Sequence, residues 1–362
     1  MGTLAPVRPR AGVFHELTVA AVDRLCDDAV AVSFEVPAGL AAEYAFSAGQ
    51  SLTLRRDVEG REERRTYSIC AAEGSRPRVG VREVPDGLFS RWLVHEVRPG
   101  DVVEVQTPTG RFCLDSVGGP TGRHLMVGAG SGITPLLSLA TTVLATPGTQ
   151  VTLLYGNRTT SSVMFADELA DLKDRHGPRL DLVHVLSREP RDVELFTGRL
   201  DAERLRRIVS ALVPWRDLDH VWLCGPWAMT SAARAMLVDL GVDGTRLHTE
   251  LFYVDEPPPE LRRPDQVVHG VTSEVTLLLD GRETTTTLPR DQTVLDGAQA
   301  SRSDLPFACK GGVCGTCRAR VTEGEVDLVR NYALEADELE AGFVLTCQSY
   351  PVSDRVTVDY DA

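Results

Sequence analysis

Residues Ala29–Val36 read AVAVSFEV, an alternation that places Val30, Val32, Phe34 and Val36 on one face of a strand. QSLTLRR and DVVEVQT alternate in the same way, and turns such as RPGD and PTGR separate such runs. Many short strands with turn signals predict an antiparallel β-barrel over residues 1–118. The period changes near Arg123. HLMVGAG, QVTLLYG, LDLVHVLS, HVWLCG and LHTELF read as strands, and ITPLLSLATTVLA, MFADELADLKDRHG, LDAERLRRIVSALV and PWAMTSAARAMLVDLG as the helices between them. This alternation predicts a parallel sheet covered on both faces, an α/β domain over 119–255. Ligands of such sheets sit at the carboxyl ends of the strands, where GAGSG, YGNR, LSRE and CGP fall. A proline-rich stretch follows, and 256–268 reads as a semi-rigid linker. Beyond it, SEVTLLLDGRETTTTL predicts a hairpin turning at Asp-Gly, and TVLDGAQA a short helix, in an α+β module over 269–362.

Length and charge narrow the classes. A chain of 362 residues suggests two or three domains. The net charge of −14 argues against a nucleic-acid partner, which needs clustered Lys and Arg. Residues 271–362 hold 16 acidic and 8 basic side chains, more than half of that net charge. Leu125 to Asn157 lacks charged side chains, but Gly128, Gly130, Gly132 and Pro135 interrupt it, so a strand–turn–helix is expected there rather than a membrane span. The first residues show no apolar signal region. A cytoplasmic chain is expected, with its eight cysteines mostly reduced and Cys26, Cys70 and Cys113 serving as small buried hydrophobes.

Cys309, Cys314 and Cys317 form C-x4-C-x2-C, and Cys347 follows thirty positions later. Disulfide, zinc site, redox thiol and iron–sulfur cluster are the candidates. Structural zinc usually uses paired C-x2-C units, and only one is present. A C-x2-C redox pair should open a helix near a βαβ unit, whereas this loop follows a hairpin. The spacing is that of plant-type [2Fe-2S] proteins. Gly311, Gly312 and Gly315 let the backbone approach a cluster and aim N–H groups at its sulfurs. The last 90 or so residues resemble a plant-type ferredoxin domain, which implies a β-grasp fold and cluster ligation by the four cysteines.

RRTYSIC holds Arg65, Tyr67 and Ser68, and GLFS holds Gly87 and Ser90. Taken alone, the first fits a plain strand and the second a helix start. Together, in a barrel ahead of a βα domain, they resemble the ferredoxin–NADP reductase superfamily. The resemblance implies FAD. Tyr67 would pack on the isoalloxazine ring, Ser68 would bond near N5, and Arg65 would neutralise the pyrophosphate. Gly87 and Ser90 would offer donors at a helix start. GAGSGITP, Gly128–Pro135, lacks the third glycine of the G-x-G-x-x-G fingerprint. In the superfamily this loop, with Gly128, Gly130, Gly132 and Thr134, carries the nicotinamide dinucleotide. Cys224, Gly225 and Pro226 would lie by the nicotinamide; alone, Cys224 reads as a buried strand-end cysteine. Glu250 matches the superfamily's acidic residue near the same place. Arg158 in YGNR and the pair Ser187 and Arg188 in LSRE fall at strand ends, and the superfamily uses such a Ser-Arg pair to hold a 2′-phosphate, which favours NADPH over NADH. Each arginine would equally suit a solvated surface, and Glu189 beside Arg188 counts against the pair.

These modules imply one route. Nicotinamide delivers two electrons together and a [2Fe-2S] cluster takes them singly, so a flavin belongs between. No residue is needed as a nucleophile or metal-bound base. Ser68, Cys224 and Glu250 are the catalytic candidates. The order flavin, nicotinamide, ferredoxin resembles the phthalate dioxygenase reductase type. RRTYSIC, GLFSRW, GRF, SRE and VLTCQSYPVSDRVTVDYD resemble reductase components of phenylacetyl-CoA epoxidases. That resemblance implies a role in phenylacetate degradation, with the oxygenase component of a multicomponent di-iron epoxidase as acceptor. Ketosteroid hydroxylase reductases share the modules and are the alternative; an iron–sulfur sensor or a zinc scaffold is the alternative of another class.

Overall fold

The structure, a computed structural model, describes residues 13–58, 60–85, 87–253, 270–334 and 336–362. The expected linker at 256–268 lies outside them. The chain divides into two compact units, Met1–Tyr253 and Val254–Ala362.

The first unit opens with β1 (Phe14–Cys26), β2 (Ala29–Glu35), β3 (Ser51–Val58), β4 (Arg61–Ser68), β5 (Arg78–Arg82), α1 (Leu88–His95) and β6 (Val102–Gln106). The strands pair antiparallel in the order β4-β3-β6-β1-β2-β5. An isolated bridge between Ile69 and Val79 ties the two edge strands and closes the barrel. Val30, Val32 and Phe34 point into its core, as the alternation predicts. The other face of β2 is also buried, because Ala29 and Ala31 pack into a second core shared with the following domain.

That domain runs β7 (Arg123–Ala129), α2 (Ile133–Ala145), β8 (Gln150–Asn157), α3 (Ala166–His176), β9 (Leu180–Leu186), α4 (Ala202–Leu212), β10 (His220–Pro226), α5 (Trp227–Asp239) and β11 (Leu247–Tyr253). The sheet is parallel throughout, in the order β11-β10-β7-β8-β9. The chain builds outward from β7 to β9, then returns to add β10 on the other side of β7. The order therefore reverses between β7 and β10, the place where such sheets bind ligands. Phe112 meets Trp222 edge-to-face at 5.2 Å in the shared core. No helix among the described residues is long and apolar enough to cross a membrane.

The second unit contains β12 (Thr272–Leu279), β13 (Arg282–Pro289), α6 (Val294–Ala298), β14 (Arg318–Glu323), β15 (Val326–Leu328), α7 (Ala336–Glu340), β16 (Phe343–Leu345), β17 (Ser349–Pro351) and β18 (Arg355–Asp359). Its main sheet has the order β13-β12-β18-β14-β16, with β12 and β18 parallel and the rest antiparallel. The β12–β13 hairpin turns at Asp280 and Gly281, both at positive φ (53° and 67°), as a two-residue hairpin loop requires. Val294, Leu295 and Ala298 of α6 enter its core.

Candidate functional site

Three side chains far apart in sequence meet at the carboxyl edge of the parallel sheet. Cys224 and Glu250 are paired positions on β10 and β11, and Ser68 ends β4 of the barrel. The Ser68 hydroxyl donates to Glu250 Oε2 at 3.1 Å, and Cys224 Sγ stands 4.0 Å from the same oxygen. Burial pushes the Glu250 carboxyl up to about 8, against a weaker downward pull from Ser68. Burial, with Glu250 beside it, also raises the Cys224 thiol far above its ordinary value. Cys224 is wholly buried, so it offers a neutral thiol packed in the core.

The glycine turn lies against this group. Gly128 is paired with Cys224, and Gly130–Gly132 form a tight turn into α2. A Cβ on Gly132 would stand 2.1 Å from the Cys224 carbonyl oxygen, so the two strand ends close up only because residue 132 has no side chain. Gly130 adopts positive φ (57°), and its carbonyl accepts from the Tyr155 hydroxyl at 2.9 Å. Thr134 is fully buried and its hydroxyl donates to the Ser131 carbonyl at 2.7 Å, so it braces the turn from inside. Pro226 stands at the start of α5, and Gly225 adopts φ 152° beside Ala129.

On the barrel side, Tyr67 is half-buried and its ring tilts against Phe89 at 6.2 Å. Burial raises its hydroxyl above the ordinary range. Arg65 pairs with Glu63 at 2.9 Å and bonds the Arg64 carbonyl at 2.6 Å. Gly87 caps α1, and a Cβ there would meet Ser90 Oγ at 2.5 Å. Ser90 is buried; its hydroxyl accepts from Val84 N–H at 3.0 Å and reaches the Gly87 carbonyl at 3.3 Å. The Ser90 side chain thus shapes the turn that presents the first N–H groups of α1.

The third part is an arginine edge. Backbone bonds from Ser187 to Asn157 (2.9 Å) and from Arg188 to Arg158 (2.8 Å) bring the ends of β8 and β9 together. Arg158 pairs with Asp28 of the barrel at 3.0 Å, while Arg188 is exposed and has no ion-pair partner among the described residues. Glu189 is diverted from Arg188: its oxygens accept from Thr160 N–H and the Thr160 hydroxyl, each at 2.7 Å, which lowers its carboxyl below the ordinary value. Sequence reasoning missed Arg82, the last residue of β5. It pairs with Asp28 at 3.2 Å, bonds the Ser162 carbonyl, and sets Nη1 3.3 Å from where a Gly130 Cβ would lie. The only signal was its place in GVRE, just ahead of GLFS.

In the second unit the four cysteines associate two and two. The thiols of Cys309 and Cys314 are close neighbours, as are those of Cys317 and Cys347. That proximity lowers Cys309 and Cys347 and raises Cys314 and Cys317. Backbone N–H groups of Gly311 (3.3 Å) and Cys314 (3.4 Å) also point at Cys309 Sγ. Among the described residues no three His, Cys, Asp or Glu side chains gather as ligands of one ion. Two neighbouring thiol pairs on one loop and the turn after β16, with backbone N–H groups aimed at Cys309 Sγ, fit a cluster of two irons. In the first unit, the half-buried Tyr67 ring, the Ser68–Glu250 pair and a glycine turn that has no room for a Cβ at residue 132 fit a flavin and a nicotinamide.

Fold and sites together define a nicotinamide-dependent flavin iron–sulfur oxidoreductase. Residues 16–113 match the oxidoreductase FAD-binding domain, 126–235 the oxidoreductase NAD-binding domain, and 277–352 the 2Fe-2S iron–sulfur cluster binding domain. The chain belongs to the family of ferredoxin–NADP reductase-type reductases with a C-terminal 2Fe-2S domain. It is 42% identical to a subunit of the 1,2-phenylacetyl-CoA epoxidase of Escherichia coli (strain K12), over 96% of this chain and 98% of that protein. It is 33% identical to the ferredoxin reductase component of 3-ketosteroid-9-alpha-monooxygenase of Rhodococcus rhodochrous, over 95% and 96%. The crystal structure of phthalate dioxygenase reductase shares the fold, with a TM-score of 0.62 and 24% identity over 96% of this chain and 98% of that one.

Proposed function

We propose that this chain is the electron-transfer reductase of a phenylacetyl-CoA epoxidase, taking electrons from NADPH through FAD and the [2Fe-2S] cluster to the di-iron oxygenase component. The observation that carries the acceptor is the 42% identity to the Escherichia coli epoxidase protein over nearly the full length of both chains, against 33% for the ketosteroid relative. The three cofactors, when bound, supply hydride transfer and single-electron transfer. The chain's own residues position them. In this reading 1–118 holds FAD, 119–255 the nicotinamide dinucleotide and 269–362 the cluster. Tyr67 would lie against the flavin ring, with Ser68, which donates to Glu250, beside it. Arg65 and the α1 start at Gly87 and Ser90 face the flavin pyrophosphate. The glycine turn, Thr134 and the strand end Cys224–Pro226 seat the nicotinamide half. Arg158, Ser187 and Arg188 take the 2′-phosphate, and the diversion of Glu189 onto Thr160 supports this by leaving Arg188 unneutralised. Cys309, Cys314, Cys317 and Cys347 ligate the cluster. The location is cytoplasmic, where NADPH is supplied and free thiols persist.

The test is reconstitution of the purified protein with the oxygenase components of a phenylacetyl-CoA epoxidase and, separately, of a ketosteroid hydroxylase. NADPH consumption should couple to product formation with the former. Coupling confined to the latter would overturn the assignment.

A further inference from the structure

Four thiolates can grip one cluster only if Cys347 is held in register with a loop thirty positions away in sequence. Part of that register comes from Thr346, whose N–H (3.1 Å) and hydroxyl (3.0 Å) both donate to the Cys317 carbonyl. Those bonds fix the inner end of the loop, at the third cysteine. The outer end, Cys309 to Gly312, is reached from the Cys347 segment by the side chain of Gln348. Its Nε2 donates to the Lys310 carbonyl at 2.8 Å and to the Cys347 carbonyl at 2.8 Å.

Several features make this bond specific. Both neighbours are carbonyl oxygens, so the amide can point only one way; reversed, it would set oxygen against oxygen. The backbone is shaped to admit it. Lys310 adopts φ 49°, rare for a residue with a side chain, and Gly312 adopts φ 76°. A Cβ on Gly312 would stand 3.2 Å from Gln348 Cγ. Gln348 is only 6% exposed, yet its Oε1 has no hydrogen-bond partner among the described residues. An unpaired buried oxygen is costly, and a leucine of similar volume would fill the space without it. What the amide offers in return is its pair of N–H donors.

We propose that Gln348 is a positioning residue for the [2Fe-2S] cluster. It is a strut that fixes the fourth cysteine against the outer half of the loop, so that the Cys309–Cys314 and Cys317–Cys347 pairs face each other before the irons are bound. This rests on the reading of the cysteine loop as the cluster site.

The experiment uses the full-length, cofactor-loaded protein and the variants Gln348→Leu, Gln348→Glu and Gln348→Asn. Iron, sulfide and FAD contents are measured first. The rate at which visible cluster absorbance bleaches in excess EDTA is then followed, and the EPR spectrum of the reduced protein is recorded. Leu and Glu keep the volume but lose the donors, so the cluster should bleach roughly tenfold faster, as expected for losing one or two hydrogen bonds. Their EPR spectra should shift or broaden. Asn keeps an amide one methylene too short for Lys310 and should fall between them and the wild type. FAD content and NADPH-driven ferricyanide reduction should stay within about twofold of the wild type in every variant. A space-filling side chain would give the opposite order, with Leu and Glu like the wild type and Asn worst; that order overturns the proposal. If Leu assembles no cluster at all, the ranking of Glu against Asn decides in the same way. Wild-type protein without iron and sulfide would instead sink the cluster reading itself.

Discussion

Buried between Ser68 and Cys224, the Glu250 carboxyl is pushed up from 4.5 to about 8. Between those values the folded protein binds a proton that the unfolded chain releases, so stability falls as pH rises across this window, by about 1.4 kcal/mol per unit at most, and levels off above it. Glu250→Gln removes that slope. Its melting temperature should match the wild type near pH 4.5 and exceed it increasingly toward pH 8.5; a gap that does not change with pH would refute the burial account. Arg188 makes a second prediction. With Glu189 occupied by Thr160, Arg188→Ala should weaken NADPH by about 1–3 kcal/mol while leaving NADH nearly unchanged. Titration of each dinucleotide against the purified variant checks this, and equal losses for both would make Arg188 a structural residue only.

Among the elements, the turn between β7 and α2 is the least tolerant. Gly132 has ordinary helical torsions (φ −61°), so its need is for space alone: any Cβ would collide with the Cys224 carbonyl 2.1 Å away. Gly132→Ala should therefore cost about 2–4 kcal/mol of stability, since backbone lies on both sides and neither strand end can yield freely. It should also weaken NADPH binding by prising the glycine turn from the β10 end. Gly148→Ala makes a useful contrast, because that glycine meets nothing within 4 Å and fails only through its positive φ (83°). Denaturant melts of the two should give a larger loss for Gly132, and similar losses would mean that the β7 turn relaxes.

At the scale of the whole molecule, the four cysteines and the Ser68–Glu250 pair belong to different compact units. Cys347→Ser should lose or destabilise the cluster, read by iron analysis and EPR, while FAD content and flavin reduction by NADPH persist. Retention of a full, stable cluster would remove Cys347 from the ligand set. The acidic second unit holds more than half of the net negative charge and suggests docking to the oxygenase by charge. On α7, Glu338 is tied to Arg318 at 2.9 Å with its side chain only 12% exposed. Asp337 and Glu340, both exposed, are the residues to reverse. Reversal should slow electron transfer to the acceptor and flatten its salt dependence, without slowing flavin reduction; an acceptor rate indifferent to both leaves these charges to solvation.

The sequence by itself determined the order of strands and helices in the α/β domain, the Asp-Gly hairpin, the glycine turn and the spacing of the four cysteines, because each is written in local spacing. Alternation follows from the strand repeat of two, and the likeness to a 2Fe-2S domain from fixed thiol spacing. The tertiary structure decided what depends on distant partners. It buried Ala29 and Ala31, which the alternation left on the outer face, because a neighbouring core covers them. It joined Ser68 to Glu250 across 182 positions, turned Glu189 away from Arg188, and brought Arg82 to the glycine turn. Gln348, one position past a cysteine, gave no sign of reaching Lys310. A sequence pattern reports which face a side chain occupies, whereas hydrogen bonds and desolvation depend on what the fold sets opposite it, and that information is carried by other parts of the chain.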